Sequence, residues 1–269
     1  MVPPMQTPPN LTDAVALARN RARATAFFLQ DLARTEVQER LTEVNRTFTA
    51  PVVVSGFPHL WHDYPVVPDA EVLALTEGAH DLVIHALALH WANDPVGQLV
   101  QCRRALKPDG WFLALLFGGQ TLTELRAALA EAEAELTGGL SPRVLPMGEI
   151  RDLGGLLQRA GLALPVADSF TTTVRYRDAF HLMTDLRAMG EGNALFARLR
   201  HPTRRALFTR AAHQGPDGRI PATFEIICLS GWAPAESQPK PMRPGSAAAR
   251  LAAALGSAEQ PLRRDPAGS

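Results

Sequence analysis

The stretch from Asp81 to Gly119, DLVIHALALHWANDPVGQLVQCRRALKPDGWFLALLFGG, constrains the fold more than any other part of the chain. Leu82 to Leu89 is a nearly unbroken apolar run, the mark of a strand buried on both faces of a parallel sheet. Asp94-Pro95 then opens a helix, because aspartate caps a helix N-terminus and proline suits its first position. Leu99, Arg103 and Leu106 follow at helical spacing. Lys107-Pro108-Asp109-Gly110 is a turn, and Trp111 to Phe117 is a second buried strand. Strand, helix and strand in this order make a βαβ unit, with parallel strands and a right-handed crossover. Function in open α/β sheets gathers at the carboxyl ends of such strands. Those ends are His90-Trp91 and Gly118-Gly119.

The rest of the chain is read around this unit. Leu11 to Val44 is helical in pattern, with a break near Arg23 to Thr25. Pro51 to Ser55 is a short β-branched strand ending at Gly56. Phe57 to Pro68 reads as a loop, and Glu71 to Leu75 as a further short strand. Thr121-Leu122-Thr123-Glu124 has the form of a capping box, opening a helix that stops at Gly138-Gly139. Ile150 to Ala160 is a helix with Gly161 just past its end. Ala163 to Tyr176 holds one or two strands, Asp178 to His213 is helical and Arg-rich, Pro216-Asp217-Gly218 is a turn, and Ala222 to Trp232 is a strong final strand. Residues 1–10 and everything from Pro234 onward have a disordered composition, with one short helix at Ala247 to Leu255.

With 269 residues and 46% hydrophobic content, the chain is long enough for one α/β domain with appendages. Lys plus Arg and Asp plus Glu both number 27, so no bulk charge draws it to nucleic acid or an anionic membrane. No run approaches the ~18 apolar residues of a membrane span, and MVPPMQTPPN lacks an apolar signal core. Cys102 and Cys228 lie far apart in apolar elements. They read as buried structural thiols, a usage that fits the cytoplasm.

The wording of the middle of the chain resembles one branch of the class I S-adenosylmethionine (SAM)-dependent methyltransferases. DAEVLALTEGAHDLVIHALALHWANDP is similar to the branch's DAExLPFxxxxFDLVISxLxLHWVNDLP. LKPDGWFLALLFGGQTLTELR and SPRVLPMGEIRDLGGLLQRAGLALP continue the likeness, which runs from about Asp69 to Trp232. The branch contains the respiratory complex I assembly-factor methyltransferase-like proteins, with the biotin-pathway carboxyl O-methyltransferases as near relatives. The resemblance implies an incomplete Rossmann-like class I methyltransferase sheet of about five or six strands. One of these, Ala222 to Trp232, is antiparallel. An N-terminal helical segment (11–50) precedes the methyltransferase-like domain (51–232), which carries a helical insertion (178–213) and is followed by a tail (233–269).

The same resemblance assigns site residues. Ser55 and Gly56 stand at the end of the first strand, under the cofactor. Asp69-Ala70-Glu71 matches the position that recognises adenine through an acidic side chain and a backbone N–H. Ala86 and Leu87 match the strand end under the transferred methyl. His85, His90 and Trp91 fall at the acceptor pocket, where His90 is placed as a general base. Read from the residues alone, the histidines are interior imidazoles hydrogen-bonded to neighbours, and Trp91 either walls the acceptor pocket or caps the strand.

Where the chain departs from the family is as informative. The family needs a glycine-rich turn, DxGCGxG, so that backbone N–H groups can approach the methionine end of SAM. It also needs an acidic residue after its second strand to accept both ribose hydroxyls. Here PVVVSGFPHLW offers only Gly56 and no carboxylate. About a dozen residues separate Gly56 from Asp69, whereas a βαβ unit takes about thirty. The family's second strand and its ribose carboxylate are therefore expected to be missing. Alternatively PVVVS is itself that second strand, which also loses the glycine loop. Lost polar anchors at about 1–3 kcal/mol each weaken SAM binding by orders of magnitude.

Two further clusters have bland readings beside sharp ones. His59-x-x-His62-Asp63 looks metal-like but has no third ligand at suitable spacing, and reads as a surface loop. Arg198, Arg200, His201, Arg204, Arg205 and Arg210 form either a solvated helical face or a docking patch for an acidic partner. The expectation is an assembly or binding protein with a degenerate SAM site, gripping a complex I subunit or another protein. The alternative is an active SAM-dependent methyltransferase acting on a carboxylate or small acceptor. The resemblance also reaches assembly factors that hydroxylate an arginine, but no facial set of His and carboxylate iron ligands is legible.

Overall fold

The computed structural model describes residues 10–211 and 217–238. Thirteen named elements build it: α1 (Ala14–Arg21), α2 (Phe28–Val44), β1 (Pro51–Ser55), β2 (Val66–Val67), β3 (His80–Ala86), α3 (Pro95–Ala105), β4 (Leu106–Phe117), α4 (Thr123–Thr137), α5 (Ile150–Arg159), β5 (Ala163–Tyr176), α6 (Ala179–Ala188), α7 (Arg205–Arg210) and β6 (Ile220–Trp232). The strands form one sheet in the order β2-β1-β3-β4-β6-β5. The neighbours from β2 to β4 pair in parallel, and β6 runs antiparallel to both β4 and β5. The βαβ unit and the single antiparallel strand are thus as the sequence implies. Asp94 caps α3 by accepting from the Gly97 N–H at 2.8 Å, with Pro95 in the first turn.

Period-2 alternation along β4 divides the core in two. Leu113, Leu115 and Phe117 face Leu29, Ala33 and Val37 of α2 and Leu182 and Leu186 of α6. Phe112, Ala114 and Leu116 face Leu99 and Cys102 of α3 and Leu153 and Leu157 of α5. Each large apolar side chain buried in this way contributes about 1.5–3 kcal/mol. The turn Lys107–Gly110 is a bulge within β4, because His80 pairs with Leu106 while Leu82 pairs with Trp111.

Several expectations are corrected. Glu71 to Leu75 is not a strand. The short strand is Val66–Val67, on the outer side of β1, and residues 56–65 between them carry only one turn of 3-10 helix, Pro58–Leu60. The capping box at Thr121 does not form, because the helix begins beyond Leu122 and that residue makes no side-chain cap. The Thr121 hydroxyl instead donates to the Glu225 carbonyl and accepts the Glu225 N–H, and Glu124 accepts from the Thr223 N–H. A neighbouring strand with unpaired backbone groups has outcompeted the helix terminus for both side chains.

Asp178 to His213 is not continuously helical either. α6 ends at Gly190 in the left-handed region (φ +79), and the chain resumes helix only at α7. Pro202, lacking an N–H, falls in the irregular stretch between them. The arginines there do not form one face: Arg198 and Arg200 both bind Asp13, Arg205 lies over Phe180, and Arg210 pairs with Glu135. The expected disorder at 1–10, apart from Asn10, the helix at Ala247 to Leu255, and His213 and Pro216 lie outside the described residues. The structure divides after Ala235 into the unit described above and Glu236–Ser269. Among the described residues no helix is long and apolar enough to cross a membrane.

Candidate functional site

The carboxyl ends of β1, β3 and β4 carry a group of buried polar side chains, Ser55, His85, His90 and Thr121. At β1, Ser55 is fully buried and its hydroxyl accepts the Phe57 N–H at 3.1 Å, which tightens the turn at Gly56. A Cβ built on Gly56 would overlap the guanidinium of Arg21, so the space above this turn is filled by the last residue of α1. The same guanidinium reaches Asp69, just past β2. Its Nη1 lies 2.7 and 2.6 Å from the two carboxylate oxygens, and both side chains are close to nine-tenths buried. Nε and Nη2 of Arg21 are buried without a hydrogen-bond partner, and the Phe57 ring lies 5.8 Å from the guanidinium carbon.

Neighbours hold α1 in place. Asp13 accepts from the Ala16 N–H and from Arg198, the Asp13 N–H donates to Ala194 O, and the Asn20 amide donates to Gly192 O. The clamp belongs to the irregular segment after α6. That segment also carries Glu191, which accepts the indole N–H of Trp91 at 2.8 Å and stands 3.7 Å from Nε2 of His90. Burial alone would raise the Glu191 carboxyl. Instead it is held below the ordinary carboxylate range, because His90, the Arg21 charge and the Trp91 N–H together outweigh burial. The His90 ring lies against Phe117, with centroids 4.7 Å apart, and neither of its nitrogens has a hydrogen-bond partner.

Asp69, Ala70 and Glu71 are pinned from the other side. Gln98 of α3 donates to the Ala70 carbonyl at 3.0 Å and Gln101 to that of Glu71 at 2.9 Å, while the Ala70 N–H is turned onto Pro68 O at 3.0 Å. His85 completes this network, its Nε2 lying 2.8 Å from Gln98 Oε1. Because the Gln98 amide donates elsewhere, its oxygen accepts, and the network assigns the proton to His85 Nε2. Burial pushes the imidazole down to about 4, against a smaller upward pull from Gln98, so it is neutral. His85 does not fall at the acceptor pocket as the resemblance implies. It pairs in the sheet with Val54 and Ala114, whose side chains pack toward α3, so strand alternation turns it away from Ala86.

Ala86 and Leu87 close the end of β3. Leu87 is buried at φ +42 and donates its N–H to Leu115 O. A left-handed leucine costs about 1–3 kcal/mol and turns the chain sharply toward the 3-10 turn Leu89–Trp91. Trp91 and Glu191 then form one wall of a cavity of about 570 Å³ between β4, β6, α4 and the segment 178–208.

Of the residues expected from sequence, the structure gathers Gly56 and Asp69 around Arg21, and His90 and Trp91 around Glu191. Arg21, Gln98 and Glu191 are the members that the reading missed. His59 packs on Phe27 and Phe57, His62 pairs with Asp63 at an exposed position, and among the described residues no three His, Cys, Asp or Glu side chains converge as metal ligands.

Three of the positions that the resemblance assigns to SAM are therefore engaged within the chain: the space over Gly56, the Asp69 carboxylate and the Ala70 N–H. As arranged, these residues do not fit the cofactor.

Residues 14–114 match the methyltransferase domain family. Zebrafish (Danio rerio) "Arginine-hydroxylase NDUFAF5, mitochondrial" is 37% identical over 80% of this chain and 70% of its own length. The human protein of the same name is 42% identical over 68% of this chain, which spans only 54% of it. Malonyl-[acyl-carrier protein] O-methyltransferase of Halorhodospira halophila is 33% identical over 72% of this chain and 67% of that one. Among solved structures, the YcgJ protein of Bacillus subtilis is similar with a TM-score of 0.42 and 13% identity, over 69% of this chain and 92% of that one.

Proposed function

The chain belongs to the SAM-dependent methyltransferase family, and from that premise we propose that it is a binding protein built on the methyltransferase fold, its cofactor pocket closed by its own N-terminal helix. One observation carries this reading: the Arg21 guanidinium fills the space over Gly56 and engages Asp69. An internal arginine there satisfies the acidic side chain that adenine would otherwise use, and opening the pocket would strand a buried charge. The clamp from Gly192 and Ala194 onto α1 supports a closed resting state.

The relatives named NDUFAF5 point to the biological role. By that likeness the protein acts as an assembly factor gripping a subunit of respiratory complex I. A deletion strain that assembles complex I normally would remove this role.

Calorimetric titration of the full chain with SAM and S-adenosylhomocysteine tests the closed pocket. No heat at millimolar ligand is the expected result, and micromolar binding to the native chain would overturn it. That second outcome would favour an active methyltransferase working on a carboxylate acceptor, the chemistry named for the malonyl-[acyl-carrier protein] relative. The cluster of His90, Trp91 and Glu191 beside the cavity is the observation on its side.

A further inference from the structure

The cavity between the sheet and the segment 178–208 has a chemistry that neither the closed cofactor pocket nor the family likeness accounts for. Its wall is largely hydrocarbon, with Phe117, Leu125, Val144, Met183 and Phe224 facing the space, and its volume of about 570 Å³ lies in the range of small-molecule sites. An apolar guest gains by covering this hydrocarbon wall from water.

The charges at its wall are more selective. Arg143 is spent on Glu133, Arg198 on Asp13, and Glu191 on Trp91 and His90. Arg187 differs. It lines the cavity, and its one hydrogen bond is from Nε to the Met183 carbonyl at 2.9 Å. Among the described residues no carboxylate pairs with it. Its two terminal nitrogens remain available as a planar fork, the geometry that receives a carboxylate. One uncompensated cation beside a long apolar wall is the complement of an amphipathic anion.

We propose that this cavity binds a medium-length fatty acyl carboxylate, with the hydrocarbon chain lying between Phe117, Leu125 and Met183 and the carboxylate held by Arg187. The site does not need the cofactor pocket to open, so it stands apart from the reading of Arg21.

The test is calorimetric titration of the full chain with dodecanoate, kept below its micelle-forming concentration. One molecule should bind per chain, saturably. Dodecanol, with the same chain and no charge, should bind about tenfold more weakly. Arg187→Gln, at an exposed position where folding is not at stake, should reduce dodecanoate affinity by about the same factor and leave dodecanol unchanged. Met183→Trp, which fills the space, should abolish binding of both, its folding checked by circular dichroism. Absence of saturable binding overturns the proposal, as does full affinity in a folded Met183→Trp chain. Equal affinity of native protein and Arg187→Gln for dodecanoate overturns the assignment of the head group.

Discussion

Arg21, the last residue of α1, sets a single nitrogen between both carboxylate oxygens of Asp69, a residue 48 positions further on. The contact joins the N-terminal helix to the edge of the sheet where the family binds its cofactor. With both side chains near nine-tenths buried, neither charge can be stranded cheaply. Arg21→Ala should cost about 3–5 kcal/mol, and adding Asp69→Asn should return a large part of it. Urea unfolding of the two single variants and the double variant gives the coupling. A coupling near zero would mean that the pair is incidental to the closed state.

Acid should destabilise the fold through His85. Burial lowers this imidazole from an ordinary value of 6.5 to about 4, so as pH falls the unfolded chain takes up the proton first. The contribution is fully present above the unfolded value and is lost as pH falls from there toward the folded one, amounting to about 3 kcal/mol over the interval. Carboxylates contribute in the same direction at lower pH, so the isolating measurement is a comparison. The slope of stability against pH between 6.5 and about 4 should flatten in His85→Gln, and an unchanged slope would place the titration elsewhere.

The hydroxyl of Thr121 braces the start of α4 to β6 rather than capping α4. Thr121→Val keeps the shape but leaves the Glu225 N–H without its partner, while the Glu225 carbonyl keeps the Gly118 N–H, at a cost of about 1–3 kcal/mol. Thr123 is only half-buried and bonds only to Gln120 and Glu124 beside it, so Thr123→Val should stay within about 0.5 kcal/mol. Thermal melts of the two variants separate the roles, and equal losses would argue for a cap after all.

That brace shows where a sequence stops being legible. β3, α3, β4 and β6 can be read because each is long, with its apolar period or caps complete within a few neighbours. Val66–Val67 cannot, since two residues between Pro65 and Pro68 carry no period. Thr121 and Glu124 have the spacing of a capping box, but a strand 104 residues away offers the Thr121 hydroxyl better partners. The site follows the same rule. Asp69, His90 and Trp91 belong to worded motifs, whereas Arg21 is one of two arginines on its helix, with no motif around it. Glu191 meets Trp91 across 100 residues. Contacts of that range depend on the completed fold and leave no local pattern behind.

Both thiols should be silent in the native protein. Burial pushes the Cys228 thiol up to about 12, and pushes the fully buried Cys102 thiol up as well. The reactive thiolate is then nearly absent at neutral pH. A disulfide-exchange reagent should label neither cysteine in the folded chain and both in urea. Rapid labelling of either one under native conditions would show that its surroundings open readily.

The hydrogen bond from Trp91 Nε1 to Glu191 ties the segment after α6 to the end of β3, and so governs how firmly α1 is clamped. The same segment holds α1 through Gly192 O and Ala194 O. Releasing it at Glu191 should therefore loosen residues 189–199 and α1 together, while β3 and β4, packed on both faces, remain protected. Hydrogen exchange read by mass spectrometry can separate the contribution of the charge from that of the tether. Glu191→Gln keeps an oxygen for the indole and should leave exchange close to native, whereas Glu191→Ala and Trp91→Phe should speed it in the same two segments. A tether worth about 1–3 kcal/mol corresponds to roughly tenfold faster exchange or more where opening is local. If Glu191→Ala speeds exchange in residues 189–199 but not in α1, the helix is held by its own contacts to Asp69. Closure of the pocket would then rest on Arg21 alone.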